Sequence, residues 1–208
     1  MSYSTNLCVI AAICGNFWGE STINPGIWEN LTVGAPGFGL GGWTDAPPYV
    51  YRRTALFNWL DQYGYPRDSG DGQLAFLIDE DIWVINNGWP SDYATLTDFL
   101  NSTDTNVAAL TEEWMHHWEG IDDASKQRRI DAAEELLDYF QNDDGTRWAW
   151  VAGNFYNSWT DAKHNALLIM DFFLGGVTPV PPIPAGGIEA ILALIKKRRS
   201  KGGYHIVT

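Results

Sequence analysis

Cysteine, basic side chains, metal-spaced histidines and long apolar runs are all scarce in this chain of 208 residues, and each scarcity removes a class of protein. Cys8 and Cys14 are the only cysteines, so no disulfide framework is available. They sit six residues apart on one predicted helix, pointing in divergent directions, and a bridge between them would require unwinding that helix. Two buried free thiols are expected instead. Lys and Arg number 13 against 26 Asp and Glu, for a net charge of −13. Such a balance argues against a nucleic-acid partner, whose phosphates demand a basic surface. The imbalance is local: residues 61–144 hold 20 acidic and 4 basic side chains, and the remainder 6 and 9. Long-range attraction to an anionic polymer is thereby excluded for the acidic body, and shape and ring stacking must supply the binding.

No stretch reaches the ~18 apolar residues that a membrane-spanning helix needs. The amino end lacks a basic n-region, and Gly15, Asn16 and Glu20 interrupt its apolar run, so a chain made in the cytoplasm without a signal peptide is expected. His116 and His117 are adjacent on a predicted helix, about 100° apart, and no H-x-x-x-H or H-E-x-x-H spacing exists. Neither a metal nor a cofactor is predicted, and G-x-S-x-G and P-loop patterns are missing as well.

What the chain does have is helical periodicity and aromatic mass. Ser4–Gly19 places Leu7, Ile10, Ala11, Cys14 and Trp18 on one helix face, and Asn24-Pro25-Gly26 stops it. Residues 34–42 carry five glycines interleaved with Phe38 and Leu40, followed by Trp43, which suits a tight hairpin. Helices are predicted over Tyr51–Tyr63, Gln73–Val84, Thr97–Asn101, Asn106–Glu119, Ser125–Phe140 and Asp161–Leu174. In the fifth of these, Ile130, Ala133, Leu136, Leu137 and Phe140 face inward and Lys126, Arg128 and Arg129 outward. The last turns Ala162, Asn165, Leu168, Ile169 and Phe172 to one side. No long alternating strand pattern occurs, so the fold class is mainly α (α+β) with a small hairpin. Three parts are expected: a principal domain over 1–145, an aromatic-rich segment and closing helix over 146–177 packed on it, and a proline-rich linker with a short basic tail over 178–208. In that tail Ile188, Ile191, Leu192 and Ile195 form a stripe suited to docking on another protein.

The chemistry centres on residues 13–44, ICGNFWGESTINPGIWENLTVGAPGFGLGGWT. A lone carboxylate, Glu20, ends the first helix and faces the glycine-rich ribbon. A plain helix-end cap would look the same. The string ICGN…ES.INPGIW followed by GFGLGGWT resembles the tail lysozyme domain of bacteriophages, and its looser skeleton is similar to soluble lytic transglycosylases and goose-type lysozymes. The match continues more weakly through Arg52-Arg53, Gln73-Leu74, Leu96–Leu100 and Trp118-Glu119, covering roughly Ser4 to Phe140. The helix HNALLIMDFF resembles one that in the phage family precedes the Glu-Ser motif; a circular permutation and a coincidental amphipathic helix both explain its place here.

The resemblance implies a lysozyme-like fold and a phage tail muramidase that opens bacterial peptidoglycan during infection, carried in the virion and contacting other tail proteins through the carboxyl tail. A non-catalytic tail protein that kept the fold is the alternative, and a free endolysin a third. Glycoside cleavage needs a carboxyl that delivers a proton to the leaving oxygen, and Glu20 beside Phe17, Trp18 and Ile23 is the candidate. Asp45 and Glu119 are the other candidate catalytic carboxylates, with Glu29 in the loop between helix and ribbon. Ser21, Phe38, Gly42, Trp43 and Thr44 are the expected substrate-binding residues. One departure stands out: the family usually has glutamine where this chain has Gly42, so either a sugar contact is lost or room is gained. Of the 11 Trp and 9 Tyr, most are expected in the core and a few along the sugar cleft.

Overall fold

In a computed structural model of the chain, the residues described are 2–47, 51–85 and 87–175. The linker and docking tail expected over 178–208 lie outside them. The fold is mainly helical with a two-stranded antiparallel sheet, α+β in class. Its axis is α1 (Leu7–Ser21), started by Asn6, whose side chain accepts from the Cys8 N–H at 2.9 Å. The helix is buried on every side from Cys8 to Phe17, not along the single face that its periodicity suggested. A helix apolar all round belongs in the centre of a core. Helices α5 (Val107–Trp114), α6 (Lys126–Gln141) and α7 (Trp159–Leu174) all pack on it. Gly15 allows the closest approach: a Cβ there would lie 2.5 Å from the Arg129 carbonyl oxygen and 2.7 Å from Ala133 Cβ. Both cysteines are free and buried, as expected.

After α1 the chain forms a 3-10 turn (Glu29–Leu31) and the ribbon, β1 (Gly37–Phe38) and β2 (Trp43–Thr44), with Gly37 opposite Thr44 and Phe38 opposite Trp43. Helix α2 (Arg52–Tyr63) follows as predicted. Helix α3 spans Gly70–Glu80, starting three residues and ending four residues before its apolar pattern indicates. Ser69 caps it by accepting from Gly72 N at 3.1 Å, and this cap outweighs the loop character of Gly70-Asp71-Gly72. Helix α4 (Leu96–Leu100) is the short turn expected near residue 97.

The helix predicted over Asn106–Glu119 changes character at its end. Beyond α5, Met115–Glu119 form a single π turn, a wider coil common at functional positions. It buries His117, Trp118 and Glu119 together. On α6 the structure corrects one expectation: Arg129 faces inward and is 2% exposed. It occupies the apolar phase itself, in register with Ala133, Leu136 and Phe140. On α7 the buried residues are Ala162, Asn165, Ala166, Leu167, Ile169, Met170 and Phe173, and Leu168 and Phe172 are turned partly outward.

Residues 146–158 run without regular structure back to the loop that follows α1. Asn24 holds them there, donating to the carbonyls of Gly153 (3.0 Å) and Phe155 (2.6 Å) and accepting from the N–H groups of Gly26 and Gly153. Asn165 on α7 adds bonds to the carbonyls of Ile23 and Val151.

Candidate active site

A cleft of about 580 Å³ opens between the end of α1, the loop of residues 27–30, the ribbon and the 151–157 segment. Its aromatic walls are Trp18, Trp28, Phe38 and Tyr156. Trp28 stacks edge-on against Phe38, with ring centroids 4.8 Å apart, which fixes that wall. Trp18 leans on Trp159 at 4.6 Å. Tyr156 is 59% exposed and extends the cleft from a part of the chain that sequence reading left without a role in the site.

Glu20 enters this cleft from the last turn of α1. Its two oxygens face different surroundings. Oε1 accepts from Arg129 Nη2 on the inner side. Oε2 faces the ribbon: a Cβ added at Gly42 would lie 2.8 Å from it. Gly42 has φ +58°, in the left-handed region where glycine is the natural occupant. The absence of a side chain at 42 therefore leaves Oε2 uncovered. Glu20 is 27% exposed as a side chain, and Arg129 only 3%.

Arg129 organises everything behind the carboxyl. Nη1 donates to Glu119 Oε2 at 2.7 Å and to Asn16 Oδ1 and the Asn16 carbonyl at 3.2 Å, while Nε donates to Ser125 Oγ at 2.8 Å. Burial opposes its charge, but Glu119 and Glu20 outweigh that cost and hold its pKa above the ordinary arginine value. Glu119 is itself 5% exposed as a side chain. Burial, and after it the neighbouring charge of Glu20, push its pKa well above the usual carboxylate range against the pull of Arg129. It lies beneath Glu20, away from the residues that line the cleft. Arg129 was not anticipated as a site residue. The available signal was its spacing of four, seven and eleven from Ala133, Leu136 and Phe140.

The remaining candidates divide by position. Phe38, Gly42 and Thr44 line the cleft. Trp43 is 1% exposed; it packs edge-on against Trp118 at 5.7 Å, and its Nε1 donates to Glu80 at 3.3 Å. Ser21 is buried and donates to the carbonyls of Phe17 (3.0 Å) and Leu40 (2.8 Å), tying the helix end to the ribbon. Asp45 is outside the cleft lining. Its carboxylate accepts from Arg53 at 2.8 Å and from Thr54 N and Oγ1 at 3.0 and 2.8 Å, all at the start of α2. Partial burial acts against that charge, but Thr54 and Arg53 prevail and keep Asp45 below the ordinary aspartate value. Glu29 does line the cleft, and its Oε2 accepts from Gly37 N at 3.0 Å. Among the described residues, Glu20 and Glu29 are the carboxylates of the cleft, with Arg128 the cation beside them. His117 is fully buried, with Nδ1 2.6 Å from the Val84 carbonyl. No group of three or more potential metal ligands occurs among the described residues, nor is any helix there long and apolar enough to cross a membrane.

An aromatic-walled cleft with one half-open carboxyl, braced from within by a buried arginine, can deliver a proton to a bound ring oxygen or bridging oxygen. A stretch of 80 residues is 42% identical to Morphogenesis protein 1 of Bacillus phage B103; it covers 38% of this chain and 19% of that protein. The family model for phage tail lysozyme matches residues 6–140, more than half of the chain. The chain belongs to the phage tail lysozyme family.

Proposed function

We propose that this chain is a tail-associated muramidase that cuts the glycan strands of bacterial peptidoglycan to open the host wall during infection. The observation that supports it most is the asymmetry of Glu20: one oxygen is held by Arg129 and the other is bare toward the cleft at Gly42. In this reading Glu20 is the general acid. Its Oε2–H protonates the bridging oxygen of the scissile bond, the bond to the sugar carbon breaks, Arg129 retains the resulting carboxylate, and water then bonds to that carbon and gives its proton back to Glu20. Indole and phenol faces of Trp28 and Tyr156 supply stacking surface for the pyranose rings. The N-acetyl group of such a substrate can assist at the sugar carbon, so a second carboxylate is not strictly required. Where one acts, Glu29 has the better position, since Asp45 is engaged in starting α2 and Glu119 in holding Arg129.

Gly42 favours a second reading, a sugar-binding tail protein without turnover. Against it stands the geometry at that position: the glycine removes a contact but clears the acid oxygen. Purified peptidoglycan incubated with the protein separates the two. Soluble muropeptides, identified by mass spectrometry as reducing-end or anhydro products, support cleavage and define its type; binding without release supports the second reading. The carboxyl tail is proposed to dock the enzyme in the particle. Truncation after Val177 is then expected to leave wall cleavage intact and to abolish incorporation into virions.

A further inference from the structure

A second concavity, of about 250 Å³, adjoins the cleft. Trp18, Arg128, Asp131, Ala132, Glu135 and Trp159 line it, and the first two also line the cleft. The two spaces therefore meet across Trp18 and Arg128. Their junction lies close to the acid: Arg128 Nη2 donates at 3.2 Å to the carbonyl of Gly19, the residue before Glu20.

The pattern of α6 explains the shape. Arg128, Asp131, Ala132 and Glu135 recur at the three- and four-residue spacing of one helix face, while Ile130, Ala133, Leu136 and Phe140 take the core. Ala132 is buried and small, so the floor stays low between longer charged side chains. Beside it stand two indoles, Trp18 from the last turn of α1 and Trp159 from the first turn of α7. Their centroids are 4.6 Å apart and their planes inclined at 65°. The charges on this shelf divide into satisfied and unsatisfied. Glu135 accepts from Trp159 Nε1 and from Lys163 Nζ. Arg128 has only the Gly19 carbonyl as hydrogen-bond acceptor, and Asp131 accepts from the neutral amide of Gln127 at 2.7 Å. Asp123 feels the charge of Arg128, but among the described residues neither Arg128 nor Asp131 forms an ion pair.

An indole-walled shelf with an unpaired cation and an unpaired anion, one helical turn apart, suits a ligand carrying both signs over a short length. A further neutral sugar ring carries neither. We propose that this shelf binds the peptide stem of peptidoglycan, with a stem carboxylate at Arg128 and the free amine of the stem's diamino acid at Asp131. The proposal rests on the reading of the cleft as a glycan-cutting site. The stem hangs from the lactyl group of the muramyl sugar, so a sugar held beside Glu20 sends its peptide over Trp18. Because the two charges are opposite, the shelf confers selectivity without long-range attraction. The bond cleaved is unchanged; what the shelf sets is a preference for stem-bearing strands over bare glycan.

The test compares solubilised glycan strands that keep uncrosslinked stems with the same strands stripped of peptide by an amidase. Kd is measured on Glu20→Gln protein, so that strands stay uncut, and kcat/KM on protein with Glu20 intact. Stem-bearing strands are expected to be favoured on the order of two- to twentyfold, the reach of two exposed charge contacts. Asp131→Lys, at an exposed position of α6, should bring both ratios towards one. Acetylating the stem amine should lower them likewise, and Asp131→Asn should then add nothing further. Equal handling of both strands by the unsubstituted shelf overturns the proposal, as does a preference untouched by Asp131→Lys. If Trp159→Ala weakens both strands equally while Asp131→Lys does nothing, the shelf takes another sugar ring, and the proposal is again overturned. Absence of cleavage on either substrate is a failure of the muramidase reading alone, because the Kd ratios still decide for or against the shelf.

Discussion

Glu20 and Glu119 touch the same arginine, but one has an oxygen open to the cleft and the other is sealed beneath it. That difference in access separates a group able to meet substrate from one able only to act through a neighbour. Arg129 carries the consequence. Replacing it by Met leaves Glu119 buried without its charge partner, and the protein is expected to lose about 3–5 kcal/mol of stability in urea unfolding. A loss below ~1 kcal/mol would mean that the pair contributes little to the fold. Glu119 also sets a pH dependence. Its folded pKa lies above the ordinary value of 4.5, so the folded state holds a proton that the unfolded chain releases. Its stabilising contribution is full below that ordinary value and is lost as pH rises through the folded titration. Thermal unfolding midpoints should therefore decline over that window, and Glu119→Gln should flatten the decline. Glu20 was legible because helix end, following turn and glycine ribbon are contiguous in sequence. Arg129 was not, because a charged residue in an apolar register reads as outward until a partner from elsewhere in the chain is known.

At the scale of elements, the site depends on two joints. The first is α1 against α6, where Gly15 leaves no space for a methyl group. Gly15→Ala is expected to cost about 1–3 kcal/mol through overpacking, despite the better helix propensity of alanine. The second is the loop after α1 against residues 151–157, joined by Asn24. Asn24→Ala leaves the buried Gly26 N–H and the part-buried groups of Gly153 and Phe155 without their partner; a loss on the order of 1–3 kcal/mol and a raised KM, as Tyr156 leaves its place on the cleft wall, are the expected readouts. The helices themselves were largely visible in the pattern of apolar residues, since period dominates over long segments. What escaped were features that period does not encode. The Ser69 cap extended α3 backwards, the π turn rotated Glu119 inward, and α7 buried a face offset from the one inferred. The 151–157 wall had no local signature, because much of its order comes from Asn24, more than a hundred residues away in sequence.

The family match ends at residue 140, but the packed structure continues beyond it. Residues 146–175 pack on α1, α3 and α6 and complete the cleft. A chain ending at Phe140 would expose the core beneath Ala166, Ile169 and Phe173. The whole molecule is also acidic, at −13, so its approach to an anionic wall gains nothing from long-range charge. Raising ionic strength from ~0.01 M to ~0.15 M shortens the screening length from about 30 Å to about 8 Å. Binding to purified wall is expected to hold or strengthen over that change; a marked weakening would indicate a basic docking surface and contradict recognition by shape and stacking.

The central claim is that Glu20 cleaves glycan as a general acid, and the most direct measurement is the rate of muropeptide release from purified peptidoglycan by wild type and Glu20→Gln, with circular dichroism of both. The expected result is release by wild type, a fall on the order of 10²- to 10⁴-fold in the variant, and superimposable spectra. Release by the variant within a few-fold of wild type, or no release by wild type, would contradict it.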